Sequence, residues 1–200
     1  MSLDESVFRF LNQAGSSLGL DLFMLAISAV GLTFIIVLVG PILWWRKQRE
    51  LAFDVVVLII ISDLITEGLK LLFMRERPFE VLTDVHTLPW GWLASATSPS
   101  MPSGHAARAF AMATLVALGT RPRWGALALA LAALIGLSRI YLGLHWPSDV
   151  LAGALLGVVL AFIMQWIRQR DNVYTRTRNK GIAWLRGLKR VEGREHDARL

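Results

Sequence analysis

"WPSDVLAGALLGVVLAFIMQWI", Trp146–Ile167, decides the fold of this chain. Asp149 is its only charge, and the apolar run behind it matches the roughly 20 residues needed to cross a bilayer. Within it "GALLG", Gly153–Gly157, offers a small-residue face on which another helix can pack closely. A membrane span with an aspartate at its mouth raises two questions: how many such spans there are, and what the mouth binds.

The composition is that of a membrane protein. Of 200 residues, 54% are hydrophobic and only 18% charged, against about 25% in soluble domains, and the mean hydropathy is +0.51. The net charge of +6 is not the footprint of a nucleic-acid binder, because the basic residues flank apolar runs and collect after Arg168. The absence of cysteine excludes disulfides, thiolate metal sites and cysteine nucleophiles.

Four further runs have the length or hydropathy of spans: Leu22–Trp45, Leu51–Phe73, Ser103–Gly119 and Trp124–Ile140. The expected fold is all-α, a polytopic membrane helix bundle of five to six spans with additional interfacial helices. Residues 1–170 form the membrane domain and 171–200 a basic cytoplasmic tail. The N-terminus lacks the pattern of a signal peptide. Ser2 and Glu5 suggest a capping box, and Leu3, Val7, Phe10 and Leu11 fall on one face, as in a helix lying on the bilayer surface; a frayed terminus is the alternative. In the tail, Ile182, Leu185, Leu188 and Val191 alternate with basic residues, which suits either a helix on the anionic inner leaflet or a solvated segment.

Arg46, Lys47 and Arg49, then Arg121 and Arg123, then Arg168 and Arg170 lie on one side of a five-span chain, which the positive-inside rule makes cytoplasmic. Lys70, Arg75, Arg77 and Arg139 break that rule on the outer side of the cell membrane. They meet there with "PSGH", Pro102–His105, and "SRIYLGLHWPSD", Ser138–Asp149. Arginine forks match phosphate oxygens, and a helix opening at Ser103–Gly104 supplies free N–H groups to an anion. His105 and His145 can serve as acid and nucleophile. Asp149, four residues after His145, can hold the second ring nitrogen. Two histidines and an aspartate also form a zinc-ligand set, but the nearby cations oppose a dication.

These residues resemble the signature of the type 2 phosphatidic acid phosphatase (PAP2) superfamily: Lys70, Arg77 and Pro78; Pro102, Ser103, Gly104 and His105; Ser138, Arg139, His145 and Asp149. The resemblance implies a helical membrane core and a lipid phosphatase that uses neither metal nor other cofactor. It implies that His145 attacks phosphorus, Asp149 orients it and His105 protonates the leaving oxygen. Lys70, Arg77, Ser103, Gly104, Ser138 and Arg139 would hold the phosphate. The expected partners are the bilayer and a lipid phosphate or diphosphate. A polyprenyl diphosphate such as undecaprenyl diphosphate is the favoured substrate, phosphatidylglycerophosphate or phosphatidate the second choice. A lipid phosphotransferase and a non-catalytic lipid-binding relative rank behind both.

Arg108 lies outside the signature, one turn inside a span, where a cation needs a partner. Helical rise puts Glu67 at matching depth, with Asp63 as second choice and a second substrate phosphate as the functional alternative. "LPWGWLASATSPS", Leu88–Ser100, is expected at headgroup level through Trp90 and Trp92. Because the chain has no cysteine of its own, the topology is directly testable. Ser98→Cys in intact cells should react with an impermeant thiol reagent and Asn179→Cys should not; the reverse pattern would put the mouth in the cytoplasm.

Overall fold

The computed structural model describes residues 2–13, 15, 17–33, 37–88, 98–170 and 172–197, with side chains to residue 187. The described elements are all helical: α1 (Leu3–Asn12), α2 (Leu18–Val30), α3 (Val39–Trp45), α4 (Arg49–Phe73), α5 (Pro78–Val81), α6 (Gly104–Gly119), α7 (Pro122–Tyr141), α8 (Pro147–Arg170) and α9 (Asn172–Asp197). Trp90 and Trp92 lie outside the described residues.

Helix α6 is the axis. Ala106, Ala107, Ala109, Ala111, Ala113 and Leu115 have no exposed surface. Small side chains all round let α4, α7 and α8 approach it from different directions. Val55, Leu58 and Ile59 of α4, Ala132 and Ile135 of α7, and Ala161 and Met164 of α8 complete the core. The close face of α8 is the one expected from "GALLG". A Cβ on Gly153 would lie 2.4 Å from the Ser103 carbonyl oxygen, and one on Gly157 only 2.2 Å from that of Ala107. Only glycine allows these backbones to meet.

The opposite face of α8 carries Leu151, Leu155, Val159, Phe162 and Trp166, all well exposed. In water such a stripe would be a liability, whereas in a bilayer it is the lipid-facing surface. Two of the described helices, α7 and α8, are long and apolar enough to cross a membrane. Helix α4 has the length but carries charged side chains, of which Asp54 and Lys70 are buried.

Three expectations change. The run Leu22–Trp45 is not one helix: α2 stops at Val30, Gly31 caps it, and α3 begins only at Val39. Gly31 passes so close to α6 and α7 that a Cβ there would come within 2.9 Å of the His105 ring and 2.7 Å of Ile135. Helix α1 does not simply lie on lipid. Leu3 and Phe10 are exposed, but Phe8 is buried against Trp146 at a ring separation of 5.2 Å, and Asn12 bonds to the carbonyls of His86 and Tyr141. The start of the tail is docked rather than solvated. Arg178 is buried, meeting Asp54 at 3.2 Å and Glu50 at 2.8 Å, while Arg168 reaches Asp54 at 2.8 Å and the Tyr174 hydroxyl also bonds Asp54.

The glycine contact predicts opposite outcomes at two positions. Gly157→Ala should overpack α6 against α8 and cost about 1–3 kcal/mol. Gly68→Ala, on α4 where a Cβ meets nothing within 4 Å, should stabilise by about 0.5–1 kcal/mol. Melting of the purified protein in detergent checks both signs.

Candidate active site

The ends of α4, α6 and α7 and the start of α8 converge on one buried polar cluster. Its geometry begins with a backbone bond: the Ser103 N–H donates to the Asp149 carbonyl at 3.0 Å, tying the first turn of α6 to that of α8. Ser103 does not use its hydroxyl to cap its own helix, so Oγ is buried without a partner. Gly104 then opens α6, with its amide end toward the cluster.

His145 stands in the turn between α7 and α8 and is 2% exposed. Its Nδ1 faces the Asp149 carboxylate at 3.6 Å, and its Nε2 faces the Arg77 guanidinium at 3.4 Å. Burial pushes the imidazole pKa down to about 3, with Arg139 and Arg77 adding to the effect and the Asp149 carboxylate opposing it. The ring is therefore neutral at pH 7, with a lone pair available on the arginine side. Asp149 is fully buried; its Oδ2 accepts the Trp146 N–H at 2.9 Å and its Oδ1 accepts from Arg75 at 2.7 Å.

The cations surround this pair. Arg77 is anchored by the Leu144 carbonyl at 2.8 Å and the Ser98 carbonyl at 3.0 Å; burial pulls its pKa below the usual arginine value, opposed by Glu80, Asp149 and Glu67. Lys70 bonds Glu67 at 2.7 Å and the Ser98 hydroxyl at 3.2 Å. Arg139, 4% exposed, donates to the Ser28 hydroxyl of α2 at 2.5 Å, and its Nε is unpaired. His105 feels Arg139, Arg108, His145 and Lys70, and its Nε2 also lacks a partner. Buried polar groups without a partner are expensive, and Ser103 Oγ, His105 Nε2 and Arg139 Nε are suited to meet the oxygens of an anion.

Most of the residues singled out in the sequence are thus together: Lys70, Arg77, Ser103, Gly104, His105, Arg139, His145 and Asp149. Ser138 is an exception. Its hydroxyl is fully buried and donates to the Ile135 carbonyl of its own helix at 2.7 Å. The Glu67–Arg108 pairing is also corrected. Lys70, one turn away on α4, holds Glu67, while Arg108 meets Asp63 at 3.4 Å. Thr33, delivered by the break after α2, accepts from Arg108 Nε at 3.2 Å and donates to Asp63 at 2.9 Å. Sequence reasoning missed the partners Ser28, Thr33 and Ser98, none of which has a local signal. Arg75 did have one, as a cation on the wrong side for the charge rule.

The PAP2 superfamily model matches residues 51–172, more than half of the chain and the whole of this cluster. The chain belongs to the PAP2 superfamily. It is 30% identical to YbjG of Escherichia coli over 84% of each chain. It is 31% identical to the undecaprenyl-diphosphatase of Sulfolobus acidocaldarius, covering 76% of this chain and 71% of that one. The crystal structure of Aquifex aeolicus LpxE superposes with a TM-score of 0.73 at 30% identity, over 82% of this chain and 96% of the other. This PAP2 protein is accordingly a membrane phosphatase, a hydrolase acting on phosphate esters.

The Arg108 geometry predicts which acid matters. Arg108→Ala and Asp63→Ala should each lower stability by about 1.5–3 kcal/mol, and the double change by less than the sum. Glu67, whose side chain is 63% exposed, should cost under about 1 kcal/mol when changed to Ala. Detergent melting of the four variants tests the assignment.

Proposed function

We propose that this enzyme hydrolyses a polyprenyl diphosphate, of which undecaprenyl diphosphate is the model, at a site facing the extracytoplasmic side of the cell membrane. Residues 1–170 cross the bilayer five times and carry the site, and residues 171–200 stay in the cytoplasm. The observation that carries the reading is the cluster of unpaired buried groups, Ser103 Oγ, His105 Nε2 and Arg139 Nε, around a neutral His145. They are arranged as donors to a phosphoryl group that His145 can reach.

In the proposed reaction the terminal phosphate sits among Lys70, Arg77, Arg139 and the Ser103–Gly104 end of α6, which disperse the charge of its equatorial oxygens. The lone pair on His145 Nε2 forms a bond to phosphorus while the bridging P–O bond breaks. His105 gives its proton to the leaving oxygen, which departs as the lipid monophosphate. Asp149 stabilises the positive charge that develops on His145 through Nδ1–H. Water then attacks the phosphohistidine, His105 takes its proton, and inorganic phosphate leaves with both histidines restored.

Two observations support a diphosphate. One is the undecaprenyl-diphosphatase relative. The other is Arg108: a Cβ on Gly104 would lie 3.4 Å from its Nη1, so the guanidinium borders the phosphate cradle. Asp63 favours the second reading, a phosphatidylglycerophosphate or phosphatidate phosphatase, because an Arg108 retained by that carboxylate leaves cations for one phosphate only.

Phosphate release from a panel of lipid mono- and diphosphates decides between them. His145→Ala should abolish release and phosphoenzyme trapping; normal turnover would sink the mechanism. Activity should survive EDTA, since side-chain cations already neutralise the phosphate, and vanadate should inhibit. Loss in EDTA with recovery on adding a divalent ion would overturn the metal-free chemistry.

A further inference from the structure

Asp149 is the most deeply buried charge of the site, and what holds it comes from an unexpected place. The Arg75 guanidinium spans two carboxylates. Its Nη1 donates to Asp149 Oδ1 at 2.7 Å and to the Ser148 hydroxyl at 2.6 Å, and its Nη2 donates to Asp4 Oδ2 at 2.7 Å. Asp4 closes the ring, accepting the Ser148 N–H on Oδ1 at 2.9 Å and the Ser148 hydroxyl on Oδ2 at 2.6 Å. Arg75 also lies over the Trp146 ring, 5.2 Å from its centroid, and Trp146 packs on Phe8 of α1.

We infer that Asp4 and Arg75 are positioning residues for the phosphatase reaction, so that the N-terminal helix α1 is a working part of the active site. The inference rests on the proposed role of His145 and Asp149 as nucleophile and orienting acid.

The physical case has two parts. Asp149 must present Oδ2 to His145 Nδ1, and a carboxylate is aimed only when both oxygens are held. The Trp146 N–H holds one and Arg75 the other, and Arg75 is itself fixed by Asp4 and Ser148. The second part is charge. With His145 neutral, Arg75 alone would cancel the charge of Asp149 and weaken its support for the cation that forms on His145. Asp4 offsets Arg75, so the three groups carry one net negative charge, which the phosphorylated imidazole then balances. Arg77 and Arg139, both cations, also face His145 and oppose a positive ring, while Asp149 favours it. Burial works against the charge on Asp4, but the bonds from Ser148 and Arg75 outweigh it and keep its carboxyl below the usual value. Asp4 therefore keeps its negative charge at neutral pH.

Helix α1 is fastened in the register this requires. Arg9 pairs with Glu5 at 3.0 Å and with Asp84, and Asn12 exchanges hydrogen bonds with the His86 backbone at 2.8 and 2.9 Å. Ser2 caps the helix through the Glu5 N–H at 3.2 Å, which places Asp4 in the first turn beside Ser148.

The test is a double-mutant cycle on the purified full-length enzyme, with a short-chain polyprenyl diphosphate in detergent as probe. Asp4→Asn should lower kcat about tenfold or more, the worth of one charge-assisted hydrogen bond, with KM little changed. In an Asp149→Asn background the same change should have almost no further effect, because Asp4 acts through Asp149. Arg75→Ala should lose rate and regain part of it with added methylguanidinium, which its partly exposed site admits; Asp4→Glu should retain more rate than Asp4→Asn. An Asp4→Asn loss that multiplies undiminished in the Asp149→Asn background, or that appears only in KM and melting, would reduce α1 to packing and overturn the inference. His145→Ala is run alongside: if it keeps full rate, the mechanism itself falls, an outcome separable from the Asp4–Asp149 coupling.

Discussion

One backbone hydrogen bond, from the Ser103 N–H to the Asp149 carbonyl at 3.0 Å, joins the part of the site shaped to hold an anion to the part able to attack it. It can form only because α6 and α8 meet without side chains between them, and the glycines at 153 and 157 are what permit that. Everything else in the site is hung on this junction. His145 is placed by the turn that leads into α8, His105 by the first turn of α6, and the cations reach in from α4, α5 and α7. A shift of α8 by a single methyl group would move His145 and the Ser103–Gly104 turn apart.

The cluster is electrostatically unfavourable as it stands. Lys70, Arg77, Arg108 and Arg139 are gathered in low dielectric; Glu67 and Asp63 offset two of them, but Arg108 Nη1 and Arg139 Nε have no hydrogen-bond partner. A protein core assembled for stability alone would not look like this. Such a cluster suits a phosphate dianion, whose oxygens can accept from these donors and whose charge opposes theirs. The rest of the fold meets the standing cost with apolar packing around α6.

Much of this was legible in the sequence, for a physical reason. The residues that face a phosphate sit at fixed spacings on helix ends: His145 and Asp149 four apart, Ser103 and His105 astride a helix start, Lys70 and Arg77 around the end of α4. Such spacings survive without knowledge of tertiary contacts. What could not be read depends on those contacts. Periodicity placed both Asp63 and Glu67 opposite Arg108, but the choice between them was made by Lys70 on one side and Thr33 on the other. Ser138 carries the spacing yet turns its hydroxyl to its own helix. The apolar run from Leu22 to Trp45 reads as one span, since nothing local says that the chain must break at Gly31 to clear the His105 ring. Asp4 lies more than 140 positions from Ser148, and no local pattern could link them.

The alanine character of α6 has a consequence for how this protein is dissected. Truncation to alanine, the usual way of mapping which side chains matter, is silent at the positions that pack this helix most closely, because Ala106, Ala107, Ala109, Ala111 and Ala113 are already there. Their contribution is absence of bulk, and an experiment that only removes atoms does not register it. Its role becomes visible when volume is added, residue by residue, and the map obtained that way is one of clearances between helices.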